Sequence, residues 1–403
     1  MREYTAEHPQ GDPITYRDGK RHLWIISVLF PFILPLIGIG SYMLIGSEWV
    51  LLTPLIIAYV VIPILDGMIG EDLNNPPEEV VPQLEDDVYY RAIIYCTVPL
   101  HVLTLIAYTW FVASTELSGS GLLITAIVCG LANGFAINTA HELGHKNRSP
   151  MSKQLAKLAL AVPFYGHFTA EHNRGHHKWV ATPEDPASSR LGESIYQFAK
   201  REIWQAFTRG LELERIRLSR QRKGFWSLDN QILHSYALSL LLQGAMVWFA
   251  GWIMVPFLVV HNCFAWFQLT SANYIEHYGL LREKTPKGRY EPCKPHHSWN
   301  SNHILSNLTL FNLERHSDHH ANPTRSYQSL RDFPDIPRLP NGYFGMYLLS
   351  YVPALWFKVM DPIVLKLPHI RGDLSKVNID PRKRDYYYAR YGHQATNDHA
   401  REG

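Results

Sequence analysis

Apolar residues in this chain come mainly in long runs separated by polar stretches, rather than at the 3.6- or two-residue spacing of half-buried elements. Six runs, at 23–46, 49–65, 92–114, 121–140, 232–250 and 253–275, contain no Lys or Arg and are 17 to 24 residues long. Helices of that length match the hydrocarbon thickness of a bilayer, where every backbone N–H and C=O needs a partner within its own segment. The pattern predicts an all-α integral membrane protein with six transmembrane helices. A further apolar stretch, 155–170, has only 16 residues and carries Lys157 and Pro163. It is too short to cross comfortably and reads as a re-entrant or interfacial helix under the bundle.

Charge then orients the spans. The connections between the first and second, third and fourth, and fifth and sixth spans hold none of the 38 Lys and Arg residues. By the positive-inside rule both termini, the acidic connection 66–91, the block 146–223 and everything after Arg282 face the cytoplasm, as expected of a multi-pass protein of a bacterial inner membrane. The expected organisation is a cytoplasmic segment 1–22, helices one to four over 23–145, a cytoplasmic segment with the interfacial helix over 146–231, and helices five and six over 232–280. A cytoplasmic catalytic region over 281–381 and a loosely ordered polar tail over 382–403 complete it. The mean hydropathy of −0.13 averages these parts and describes neither. A net charge of +2 argues against a nucleic-acid binder. Four cysteines without a CxxC pair imply neither a disulfide framework nor a thiolate metal site.

Histidine carries the chemistry: 15 of the 21 lie between His141 and His320. Three clusters, HELGH at 141–145, HNRGHH at 172–177 and HSDHH at 316–320, each pair histidines at i and i+4, a spacing that sets two imidazoles on one helix face for one metal. His277, in NYIEHYGLL, ends the sixth span on the side where His141 ends the fourth. A satisfied helix-end residue explains one histidine but not three clusters and a fourth contributor on one side. Nine nitrogens exceed what one zinc or one iron takes, so the count asks for two metals. Imidazole leaves their identity open.

HELGHK, EHNRGHH, NYIEHYGLL and the run PHHSWNSNHILSNLTLFNLERHSDHHANPTRSYQSLRDFP resemble the bacterial membrane-bound alkane 1-monooxygenases, non-haem di-iron hydroxylases of the histidine-rich membrane family that includes the fatty acid desaturases. The similarity covers nearly the whole chain. It implies a cytoplasmic-side di-iron centre with His141, His145, His172, His176, His177, His277, His316, His319 and His320 as ligands. It also implies hydroxylation of the terminal methyl of medium- to long-chain alkanes to primary alcohols, with O2 and two electrons from a rubredoxin that a rubredoxin reductase reduces. The short histidine patterns alone also fit a fatty-acid desaturase or hydroxylase on the same scaffold. HELGH satisfies HExxH as well, the signature of a zinc metalloprotease with Glu142 as base, but that reading leaves seven histidines unexplained.

Two irons among neutral imidazoles need nearby negative charge, and Glu142, Glu171, Glu276 and Asp318 each lie within two residues of an expected ligand. They are candidates for holding a ligand's distal N–H, or else are ordinary helix-end acids. Gly130, Gly134 and Asn138 step at helical spacing into His141, and Trp266, Thr270 and Asn273 into His277; these faces either line a substrate channel or pack helix on helix. His296, His297 and His303 are weaker candidates near the last cluster, while His101, His234 and His261 are expected to bond between spans. The basic stretch 200–223, with Arg201, Arg209, Arg215, Arg217, Arg220, Arg222 and Lys223, is a candidate dock for an acidic electron carrier or a headgroup-facing stretch.

Overall fold

In the computed structural model, which describes residues 2–7, 11–146 and 148–392, each of the six apolar runs is a helix. A hairpin, β1 (Glu3–Ala6) and β2 (Ile14–Arg17), opens the chain. The first four spans are α1 (Ile25–Ile45), α2 (Glu48–Ile69), α3 (Val88–Ser114) and α4 (Gly119–Gly144). Next come α5 (Pro150–Ala161), the composite helix α6 over 168–179, and the long polar helix α7 (Ile195–Arg220). The remaining spans are α8 (Gln231–Ala250) and α9 (Met254–His277). The C-terminal region contributes α10 (Ile304–Leu310), α11 (His316–Ala321), α12 (Tyr343–Ser350), α13 (Pro353–Leu365) and α14 (Arg384–Tyr391). Among the described residues the hairpin is the only sheet.

Five spans, α1 to α4 and α8, are long and apolar enough to cross a membrane. α9 is as long, at 24 residues, but buries Asn262, Gln268, Thr270, Ser271 and Asn273, which dilutes its hydropathy. A pair the run pattern did not predict, α12 and α13, is apolar enough only when taken together and is bent by 119° at its break. Leu44 and Trp248 are each 89% exposed, and Trp49, Trp110 and Trp252 are exposed beside the short connections that lack basic residues. Such side chains are tolerated facing lipid, with tryptophans at the interface. The protein is a membrane protein.

α4 is the central helix, packed lengthwise against α9. Gly130 and Gly134 allow the approach: a Cβ at Gly130 would sit 2.6 Å from the His261 carbonyl oxygen and one at Gly134 2.9 Å from the Gln268 Cβ. Buried polar side chains bond to α4 from both neighbours, His101 of α3 to Thr139 (3.1 Å) and His261 of α9 to Asn133 (3.0 Å). Gly130→Ala is expected to pry the two helices apart and destabilise the protein by about 1–3 kcal/mol, as overpacking does elsewhere. A thermal melt in detergent checks this; an unchanged midpoint would show that the contact is slack.

α5 has 12 residues, too few to span, and the chain turns after it through Phe164 at φ 56°. The apolar stretch 155–170 is therefore divided between α5, this turn and the start of α6. Of the stretch that read as a loose tail, 384–391 is helical and docked: the Tyr387 hydroxyl, in a buried side chain, donates to Asp361 Oδ2 at 2.6 Å. The histidines at 393 and 399 lie outside the described residues.

Candidate metal centre

α4 and α9 run in the same direction and end at one layer, carrying His141 and His145 at the last turn of one and His277 at the last residue of the other. α6 and α11 lie across these ends. The nine histidines fall into two groups whose ligand atoms lie within 4.8 Å of one another: His141, His145, His172, His177 and His319 in one, His176, His277, His316 and His320 in the other. The groups adjoin, the His177 and His320 rings being 4.5 Å apart.

The i, i+4 rule holds for 141/145 and 316/320 but fails for 172/176. Residues His172–His176 form a π turn, in which the His177 N–H donates to the His172 carbonyl five residues back. The wider turn brings His177 over His172, their Nε2 atoms 3.0 Å apart, and swings His176 to the second group. A π turn at a functional site is a recurring device for redirecting one side chain without ending a helix.

Within the groups Nε2 faces Nε2. The separations are 2.7 Å for His141–His319, 3.1 Å for His319–His177, 2.9 Å for His320–His316, 3.2 Å for His176–His320 and 3.3 Å for His316–His277. Adjacent ligands about 2.1 Å from one metal would lie about 3.0 Å apart. Rings converging through the same nitrogen cannot each receive a proton from the next, whereas a cation accepts all the lone pairs. Burial holds His172, His177, His316, His319 and His320 well below the ordinary imidazole range, in the neutral form that binds metal. His145 Nε2, in the five-membered group, is buried without a hydrogen-bond partner. The donor set fits two metal ions.

The acid that orients a cluster histidine is one the sequence reading missed. Asp185 Oδ2 lies 2.8 Å from His176 Nδ1, and the same carboxylate accepts from Ser188 Oγ (2.7 Å) and Arg209 Nη2 (2.8 Å). Burial alone would raise its pKa, but His176 and Arg209 hold it well below the usual carboxylate range. Asp185 lies in a Pro-rich turn nine residues after His176, where only tertiary folding returns it. His277 Nδ1 faces the His297 carbonyl at 3.4 Å. Of the four expected acids, Glu276 approaches a cluster histidine, with Oε2 3.3 Å from His316 Nε2. Glu171 is instead clamped by Arg209, Asp318 by Arg331 and Asn322, and Glu142 pairs with Lys146 at 3.6 Å.

A narrow apolar cavity runs along α4 and α9 and ends on His141, His172, His316 and Glu276, so it touches both groups. Gly134, Asn138 and Asn273 line it. The other three channel candidates do not: Gly130 faces a backbone carbonyl, Trp266 Nε1 donates to Pro163 O (2.7 Å) and Thr270 Oγ1 to Glu202 Oε2 (2.7 Å). A stripe at helical spacing extends beyond the cavity into helix packing.

The basic stretch on α7 is not an open positive face. Arg209 serves Glu171 and Asp185, Arg217 with Arg174 serves Glu214, Arg201 serves Glu193, Arg215 pairs with Glu212 and Lys223 with Asp229. Much of the charge holds α6 and α7 together. Near the last cluster, His297 Nδ1 accepts from the Lys294 N–H (3.0 Å), His303 lies against Ser301, and His296 packs on His369.

Helices around two histidine groups at one membrane face define a membrane-bound, histidine-rich metalloenzyme, and residues 119–353 match the fatty acid desaturase family. At finer resolution, the chain is 52% identical to alkane 1-monooxygenase 1 of Alcanivorax borkumensis over 96% of this chain and 95% of that protein. It is 50% identical to alkane 1-monooxygenase of Pseudomonas putida over 96% and 95%. It is 51% identical to that of Ectopseudomonas oleovorans over 94% and 93%. The chain belongs to the alkane 1-monooxygenase family and is an oxidoreductase.

Proposed function

We propose that this protein hydroxylates the terminal methyl of medium- to long-chain alkanes to primary alcohols at a di-iron centre, with O2 and two electrons from a separate reduced rubredoxin. The observation that carries this reading is the meeting of both histidine groups at the end of one apolar cavity. The names and near full-length identity of the relatives support the alkane as substrate. Two groups of five and four nitrogens suit a pair of irons better than tetrahedral zinc. With four cysteines and no CxxC pair, these 403 residues hold no rubredoxin iron of their own, which supports a separate carrier. The one-sided basic residues support a metal layer at the cytoplasmic face of the inner membrane.

When bound, the irons would supply the redox chemistry that couples O2 to a C–H bond. The chain does the rest. Leu131, Phe135, Leu313 and Phe344 wall the cavity and keep water from the hydrocarbon. Its histidine end admits the end of a chain lying along α4. The Asn138 amide, at the cavity wall, ties α4 to the Leu310 carbonyl (2.8 Å) and so fixes the helix end that carries His141. Asp185 keeps a proton on His176 Nδ1 and leaves Nε2 for metal.

Elemental analysis of gently purified protein is expected to give about two irons per chain, and incubation with alkane, 18O2 and reduced rubredoxin to give labelled primary alcohol. One zinc and no iron would overturn the di-iron reading. An unlabelled alkene as product would turn the assignment to desaturation.

A further inference from the structure

Beside the metal layer lies a second, tight cavity with room for about one water-sized group, lined by His172, His176 and Glu202 and sharing Phe168, Leu269 and Asn273 with the main cavity. Its far wall is Tyr165 and His167. These two residues also form the floor of an open apolar groove bounded by Phe164, Ile203, Trp204, Phe207, Tyr236 and Trp266, with Lys200 at its edge. Main cavity, small cavity and groove thus follow one another from the histidines to the outer surface. Tyr236 is in the second turn of α8 and Trp204, on α7, is 65% exposed, so the groove opens at the margin of the bilayer.

The neck between small cavity and groove carries unmet hydrogen-bonding capacity. Tyr165 Oη and His167 Nε2 are both buried without a partner, in side chains only 2% exposed. The polar groups around them are committed: Glu202 accepts from Thr270 (2.7 Å) and Asn273 (3.2 Å), Glu171 from Arg209, and His167 Nδ1 faces the Tyr236 hydroxyl at 2.8 Å. The Tyr165 and His167 rings lie 4.3 Å apart, and both residues line the small cavity and the groove. A hydroxyl offers one proton and two lone pairs. It can accept from Tyr165 and donate to His167, while an alkane can do neither.

We propose that the neck is a binding site for the hydroxyl of a primary alkanol and that the product leaves through it, with its chain passing into the groove, by a way separate from the apolar cavity that holds the alkane. This rests on the hydroxylation proposed above. The site discriminates product from substrate by the one atom the reaction adds, which draws the alcohol off the metal layer towards the membrane surface.

The test uses the full-length, metal-loaded enzyme without electron donor, and two photoreactive probes: a primary alkanol with a diazirine in its chain and the matching alkane. The alcohol is expected to label peptides containing Phe207 or Tyr236, with labelling competed by the plain alkanol and not by the alkane. Tyr165→Phe, which keeps the ring and removes the donor, is expected to raise the half-competing alkanol concentration about tenfold. Trp204→Ala, at the exposed rim, is a second variant expected to weaken labelling by opening the groove to lipid. Equal labelling by both probes, or Tyr165→Phe competing like the parent, would overturn the proposal. Conversion of alkane to alcohol is scored separately, so an inactive enzyme counts against the proposed function and undiscriminating labelling in an active enzyme against the exit.

Discussion

His320→Ala is expected to lower bound iron from about two towards one per chain and to reduce alkane turnover by more than about 100-fold, beyond the 10- to 100-fold that losing a ligand's supporting partner costs. The size follows from the partition. His320 belongs to the group of four, where its Nε2 lies 2.9 Å from that of His316 and 3.2 Å from that of His176. Its loss leaves three nitrogens. His145→Ala removes one member from the group of five and leaves four, so that variant should retain more metal. Elemental analysis beside product measurement by gas chromatography decides; equal metal loss in the two variants would sink the idea of two separately held ions.

The second large effect is expected where no ligand is touched. Asp185→Asn keeps an oxygen near His176 Nδ1 but removes the charge that holds the imidazole and one of the two carboxylates paired with Arg209. Metal affinity should fall about 10- to 100-fold. Glu142→Gln, although next to His141 in sequence, alters an ion pair with Lys146 and should release iron to a chelator as slowly as the parent. The reverse order of release rates would return the supporting role to Glu142. It would also revive the HExxH reading.

How far the chain announced these features depends on the range of each interaction. The six apolar runs needed only local composition against a fixed bilayer thickness, and each is a helix whose ends differ from the run by a few residues. α9 was legible for the same reason, despite its buried amides. The bent pair α12 and α13 was not, because neither half is long enough to stand out and the two are bent by 119° at their break. The histidine clusters were visible as chemistry, and their convergence followed from two spans ending on one side. Their division was not: the π turn over His172–His176 sends neighbours in sequence to different groups.

The acids and arginines show the same limit. Proximity in sequence selected Glu142, Glu171, Glu276 and Asp318, yet the clearest carboxylate–imidazole contact belongs to Asp185, in a turn with no helical phase to place it. The arginines of α7 read as a dock for a carrier or a headgroup-facing stretch because charge can be read along a chain and its partners cannot. The sequence by itself determined the class of environment and the kind of chemistry: that several segments suit a bilayer, that the basic residues avoid three of the connections between them, and that imidazoles in excess of one metal's needs come in a few clusters. Only the tertiary structure decided which imidazole nitrogens face one another, which acid meets them and where an apolar cavity reaches them. Those outcomes depend on contacts of 2.7–3.3 Å between residues as far as 178 positions apart, a scale on which composition and periodicity are silent.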